Sequence, residues 1–252
     1  MISTDYFTNI SIIQIGCGGT GSWLVPLVSK LARNIQLRLT YNQSISYSII
    51  DNDIVEDRNI LRQNFTNWDI GKNKAQALVN RACYEFPDIT AIGKRINKIP
   101  DLISDYWKSL IQHGRSLSIL LGCADNNKTR QLIYSFGKKI TKQNNNISAI
   151  YIDGGNLLHN GQIVTSVFNF PEERQELMKK RKKSKIKFKE MFPLEDPQEE
   201  QQSCLFFGDQ SQAINIMSAT LMFINLQKIL VASELPPELI TFNSSGYSTF
   251  EV

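Results

Sequence analysis

The sequence predicts an α/β protein: a mostly parallel sheet flanked by helices, with a C-terminal mixed-sheet extension and a long helix. Three observations carry this. Short apolar runs alternate with stretches of helical period from Ile10 to Asp153. A glycine-rich turn follows the first run and opens the first helix. The second and fifth runs close on aspartates, Asp51 and Asp153. In an open parallel sheet such residues gather at the C-terminal ends of the strands, where ligands bind.

Each element follows from its pattern. Ile10 to Ile15 is a short apolar run and reads as a buried strand. Gly16 to Gly21 reads as a tight turn. From Ser22 to Arg33, Trp23, Leu24, Leu27, Val28 and Leu31 recur on one helix face. Tyr47 to Ile50 is a second strand, set off by a polar insertion over 34–46. Helix is expected over Gly71–Phe86, strand over Ile89–Ile92, helix over Asp101–Ile111 and strand over Leu117–Leu121. Another helix runs to Thr141, and Ser148–Ile152 is the fifth strand. Gly161–Phe170 reads as a strand outside the alternating rhythm. Asp209–Val231 is a long apolar helix with packing expected on two sides, one of them open to a partner subunit. Leu239–Phe242 and Tyr247–Val252 are closing strands.

These elements divide into a nucleotide-binding region over 1–170, a charged connection over 171–202, and a C-terminal part over 203–252 that completes the same domain. At 252 residues and 42% apolar content the chain can bury a sizeable core. No run reaches the ~18 consecutive apolar residues of a membrane span. Met1–Asn9 lacks the basic and apolar regions of a secretory signal, so a cytoplasmic setting and no membrane partner are expected. The four cysteines (Cys17, Cys83, Cys123, Cys204) form no C-x-x-C, which argues against a disulfide framework and a structural zinc. Net charge is +4, yet eight of 28 basic residues lie in 179–189, leaving the body mildly acidic. That run reads first as a solvated loop, with nucleic-acid contact as the secondary reading. His113 and His159 read as bland surface or core residues.

Gly16-Cys17-Gly18-Gly19-Thr20-Gly21 has the spacing G-x-G-x-x-G after a strand and before a helix. Missing side chains let the backbone approach a phosphate, and a helix N-terminus offers N–H donors to it. The motif is Rossmann-like and says only that a nucleotide binds. Asp51 is placed to accept from ribose hydroxyls, as in dinucleotide enzymes. Asn59, Arg62 and Gln63 stand at i, i+3 and i+4, one face of a helical turn. Lys74 follows Gly71 at a helix start. An arginine and a lysine near a glycine turn suit a triphosphate, which hydride transfer does not require. Asp125 suits Mg²⁺, which takes one or two carboxylates plus phosphate oxygens. Capping of the helix after Asn126 is its structural alternative. Asp153 reads equally as a strand cap.

Asp51-x-Asp53-x-Val55, Asn59-x-x-Arg62-Gln63, Gly71-x-x-Lys74 and Cys123-x-Asp125-Asn126, in this order after the glycine turn, resemble the E1-like ThiF/MoeB/HesA superfamily. The likeness covers residues 10–168. It implies ATP bound by Gly16, Gly18, Gly19, Gly21, Asp51, Asp53, Asn59, Arg62, Gln63, Lys74, Asp125 and Asn126, with Mg²⁺ on Asp125. It implies an adenylyltransferase that activates the C-terminal carboxylate of a ubiquitin-like or sulfur-carrier protein with a Gly-Gly-like tail. Arg62, Lys74 and Asp125 carry the catalytic role. Asp153-Gly-Gly-Asn156 and Gly161-Gln-Ile163 resemble the family's crossing into a substrate-facing sheet. Ser203-Cys204, Asp209-Gln-Ser211 and Asn215-Ile-Met217 resemble, more loosely, the PRTRC-type ThiF branch, which makes Cys204 a candidate thioester nucleophile. Cys17 and Cys123 read as packing residues of the nucleotide turns. The family's paired zinc motifs and its N-terminal arginine that reaches a partner subunit are absent, which leaves a homodimer open. Three rivals stand beside this reading: a non-catalytic E1-like scaffold subunit, an NAD(P)-dependent oxidoreductase, and an adenylating enzyme for a peptide or small carboxylate.

Overall fold

The structure, a computed structural model, describes residues 6–94, 114–156, 159–169, 211–243 and 246–248. The expected helix over 101–111, the connection over 171–202 with its basic run, His113, Cys204 and the last four residues lie outside the described residues.

One eight-stranded sheet organises the chain, with strand order β3-β2-β1-β4-β5-β6-β7-β8. Its strands are β1 (Asn9–Ile15), β2 (Ser44–Ile50), β3 (Ile89–Ile92), β4 (Ser116–Gly122), β5 (Ile147–Asn156), β6 (Asn160–Phe168), β7 (Leu239–Asn243) and β8 (Gly246–Ser248). The first five are mutually parallel, and β6, β7 and β8 join antiparallel. The helices are α1 (Gly19–Gln36), α2 (Asp57–Ile60), α3 (Lys74–Ala82), α4 (Asn127–Gln143) and α5 (Gln212–Gln227), with a 3₁₀ turn at Asn67–Asp69 and a π turn at Lys228–Ala232.

Central strands of a parallel sheet bury both faces, and β4 is buried along its whole length. Alternation divides its side chains between two cores. Leu117, Ile119 and Leu121 pack with Ile10, Ile12, Tyr47 and Ile49 in the larger cluster, which includes α1, α3 and α5 residues. Leu120 packs with Ile13, Ile15 and Tyr151 against Ile133, Phe136 and Ile140 of α4. The register then sets the site. Ile92, Ile50, Ile15, Gly122 and Asp153 stand side by side across five parallel strands. The residues that follow them therefore emerge along one edge.

Several element boundaries differ from expectation; among them, β5 runs on to Asn156, so Asp153 lies inside the strand instead of closing it. The first helix starts at Gly19, so Gly19 to Gly21 form its first turn instead of a preceding loop. The third helix is shorter, Lys74–Ala82, because Asn73 caps it by accepting from the Gln76 N–H at 3.1 Å. The last helix ends its α form at Gln227 and continues as the π turn. By length and composition Gln212–Ala232 passes for a membrane span, yet half of it is buried against the protein. Its inward side carries Asn215, Ser218 and Asn225, all 0% exposed.

Ile119 is fully buried mid-strand in β4. Ile119→Ala should cost roughly 2–5 kcal/mol by loss of burial plus the cavity left behind. Urea unfolding checks this as a lowered midpoint at unchanged slope.

Candidate nucleotide site

The glycine turn is fixed from below and from both sides. Gln14, fully buried in β1, donates its amide to the carbonyls of Gly16 and Gly21, each at 3.0 Å. Its own Oε1 accepts from the Tyr47 hydroxyl at 2.5 Å. Gly16 has φ +100°, and a Cβ there would lie 2.3 Å from the Cys123 carbonyl oxygen. Only glycine meets both demands. The turn thus lies directly on the chain that leads to Asp125. A Cβ at Gly18 would meet nothing within 4 Å. Gly18 therefore leaves open space at the head of α1, where the first-turn N–H groups and the positive dipole end offer a place for an anion.

At Gly19 the side-chain position faces the C-terminal helix. A Cβ there would lie 2.5 Å from the amide of Asn215 on α5. Its missing side chain admits a helix neighbour, while Gly18 faces the open space.

Asp51 closes β2 beside the turn. Its Oδ2 accepts from the Cys17 N–H at 2.6 Å and its Oδ1 from the Asp53 N–H at 2.8 Å. Burial raises its carboxyl above the ordinary range, and these two N–H bonds partly offset that. Both oxygens retain lone pairs for a ribose hydroxyl. Burial likewise lifts the thiols of Cys17 and Cys123 well above the ordinary range, which suits packing and not nucleophilic attack.

The segment carrying Arg62 is docked on α1. Pro26 has no N–H, so the Ser22 carbonyl loses its helical partner. The Asn64 amide donates to that carbonyl at 3.2 Å, and the Asn64 N–H donates to Ser22 Oγ at 2.9 Å. The Trp23 indole N–H donates to the Arg62 carbonyl at 3.3 Å. With its backbone held this way, the half-buried Arg62 guanidinium has no protein partner among the described residues. Gln63 is buried, and its Oε1 has no hydrogen-bond partner there. Asn59 is buried and uses its Oδ1 to accept from the Glu56 N–H at 2.9 Å, capping α2. The structure thus holds the Arg62 backbone beside α1 and leaves polar groups of Arg62 and Gln63 unspent among the described residues, while part of Asn59 is structural.

Lys74 reaches Asp53 at 3.1 Å, with its side chain 9% exposed against 60% for Asp53. The two act as a pair: the carboxylate holds the ammonium in place from the solvent side. Asp125 is exposed just beyond β4, and its Oδ1 accepts from the Asn126 amide at 3.1 Å. Asn126 caps α4, its Oδ1 accepting from the Thr129 N–H at 2.8 Å. The capping role expected as Asp125's alternative therefore falls to Asn126, and Asp125 is left facing outward. A single exposed carboxylate beside an anion-binding turn fits Mg²⁺ carried on phosphate oxygens.

A buried ion pair lies beneath this loop. Arg130 Nε stands 3.2 Å from Asp153 Oδ1, and the Tyr151 hydroxyl donates to Asp153 Oδ2 at 2.5 Å. Asp153 is more than a strand cap: it ties α4 to β5. A Cβ at Gly122 would lie 2.1 Å from Asp153 Oδ2, so that glycine makes room for the carboxylate. Sequence reasoning missed Gln14, Trp23, Asn64, Arg130 and Asn215 as parts of the site. The available signal was a polar residue interrupting an apolar run, as at Gln14 and Asn215.

The chain belongs to the ThiF family, whose model matches residues 4–251. Among solved structures it is similar to Escherichia coli MccB with ATP, at TM-score 0.62 and 19% identity, covering 100% of this chain and 65% of that one. MccB with AMPCPP and MccA gives TM-score 0.58 at 18% identity, covering 96% and 63%. PaaA gives TM-score 0.55 at 14% identity, covering 96% and 63%. At these identities the likeness shows the α/β fold, and this chain spans less than two thirds of each. No curated protein matches it.

Burial raises the Asp153 carboxyl from 3.8 to about 6, against the opposing pull of Arg130 and Tyr151. The folded chain thus holds this proton to a higher pH than the unfolded chain. The resulting stability is full below pH 3.8 and is lost as pH rises through about 6. Relative to Asp153→Asn, the wild type should lose about 3 kcal/mol across that window. Urea unfolding of both proteins at either end of the window checks it, and a constant difference would contradict it.

Proposed function

We propose that the chain is an E1-like adenylating enzyme that activates the C-terminal carboxylate of a small protein or peptide partner with ATP. The observation that carries it is the combination at one sheet edge. An open helix N-terminus at Gly18 and the outward carboxylate of Asp125 meet at the glycine turn, and the Arg62 backbone lies beside α1 with a guanidinium that has no protein partner among the described residues. Hydride transfer has no use for this set. Membership of the ThiF family supports the reading, as do the ATP- and AMPCPP-bound MccB structures on the same fold. MccA held by MccB supports a partner chain as the source of the carboxylate. A ubiquitin-like or sulfur-carrier protein with a Gly-Gly-like tail is the partner class we favour, in a cytoplasmic setting.

In this mechanism a carboxylate oxygen of the partner forms a bond to the α-phosphorus of ATP. The bond from that phosphorus to its bridging oxygen breaks, and pyrophosphate leaves with the electron pair. The side chains do no covalent work. The α1 N-terminus and Gly18 seat the phosphates, and Asp51 accepts from the ribose. Arg62 and Lys74 offset charge that builds on the leaving group, and fixed donors of this kind dominate such catalysis. Asp125 would hold Mg²⁺, which supplies further charge neutralisation when bound. Cys204 is proposed as acceptor of the activated acyl group in a later step, its thiolate sulfur displacing AMP.

Arg62→Ala and Asp125→Ala should each lower partner-dependent pyrophosphate formation by about a hundredfold or more, with folding retained because both side chains reach solvent. Pyrophosphate release on mixing with ATP and the partner checks this. A near-wild-type rate in either variant removes that residue from its role.

A further inference from the structure

Asn215 belongs to α5, about 150 positions along the chain from the segment it serves. Its side chain is 0% exposed. Its Oδ1 accepts from the Asn156 amide at the end of β5. Its Nδ2 lies 3.4 Å from the Arg62 carbonyl. Its amide fills the space that Gly19 leaves open, where a Cβ would come within 2.5 Å. One side chain thus meets the first turn of α1, the backbone of the proposed phosphate arginine and the exit of the strand beside Asp125's own. The carbonyl it holds is the one that the Trp23 indole also holds, at 3.3 Å. Two donors on one carbonyl, from two helices, fix the backbone from which the Arg62 guanidinium projects.

We infer that Asn215 is a positioning residue for ATP: it acts through the backbone of Arg62 and touches no reacting atom. The inference rests on the adenylation reading for the role of Arg62. It makes the C-terminal helix part of the nucleotide site. A displacement of α5 would then be felt as a displacement of Arg62. An interior amide that only filled space would be worth stability and nothing more. A positioning amide is worth affinity in the folded protein, and only while Arg62 is present.

A double-mutant cycle separates these. Mg·ATP binding to the full chain is measured by calorimetry for the wild type, Asn215→Ala, Arg62→Ala and the double variant, with thermal unfolding alongside. Asn215→Asp, which keeps the shape and the acceptor but loses the Nδ2 donor, serves if Asn215→Ala does not fold. We expect Asn215→Ala to weaken ATP about tenfold, the size of one lost polar contact near 1.4 kcal/mol. We expect the double variant to bind no more weakly than Arg62→Ala alone. Unchanged ATP affinity in folded Asn215 variants, or losses that multiply in the double variant, would overturn the inference while the adenylation reading stands. A wild-type chain that does not bind Mg·ATP would overturn both.

Discussion

The structure depends on one close approach, that of Gly16 to the Cys123 carbonyl. No side chain fits between them, and the backbone at Gly16 takes a positive φ that other residues resist. Because the chains meet there, the turn after β1 and the segment after β4 form one surface. The Gly16 N–H donates to the Ile50 carbonyl and the Cys123 N–H donates to the Ile15 carbonyl, at 2.9 and 2.8 Å. These bonds extend the sheet ladder one residue past the strands on both sides. Asp51 and Asp125 consequently stand on either flank of the helix N-terminus. Gln14 braces this approach by donating from below to the carbonyls of Gly16 and Gly21, one on each side of the turn.

A second constraint returns the C-terminal part to the site. Helix α5 packs along α1 and over β5 and β6, and Gly154 of β5 admits it: a Cβ there would meet Met222 Sδ at 2.6 Å and Ser218 Oγ at 2.8 Å. The seam is polar as well as apolar. Asn225 donates to Thr165 Oγ1 at 3.1 Å, and Asn215 links Asn156 to the Arg62 backbone. Such groups cost free energy if left unpaired, so they favour one register of α5 over its neighbours. The apolar composition of α5 drives its burial; the asparagines decide where it stops.

Much of the fold was legible from local patterns. Five apolar runs gave the five parallel strands; burial on both faces leaves that signature in the interior strands, while the edge strand β3 is only partly buried. The glycine turn, Asp51, Arg62 and Asp125 stand out as candidates because short motifs mark them. What pairs with what was not legible. Lys74 reads as a free cation in sequence, yet Asp53 holds it across 21 positions. Gly19 reads as part of the glycine motif, and the space at its side-chain position belongs to Asn215, which local reasoning cannot see. Asp153 reads as a strand cap because its partner Arg130 lies on another element, 23 positions earlier. In each case the deciding contact is between residues far apart in the chain, and no period or cap signal records it. Pro26 shows the same limit: the Ser22 carbonyl freed by its missing N–H is taken by the Asn64 amide, 42 positions along the chain.

The central claim is that this sheet edge transfers an adenylyl group to a carboxylate. ATP–pyrophosphate exchange tests it most directly, with purified protein and Mg²⁺, with and without a small protein ending in a Gly-Gly-like tail. The account predicts isotope incorporation into ATP that requires the tail and is lost when its terminal carboxylate is amidated. Tight ATP binding with no exchange in the presence of the free carboxylate would contradict it, and would leave a nucleotide-binding subunit without catalytic function.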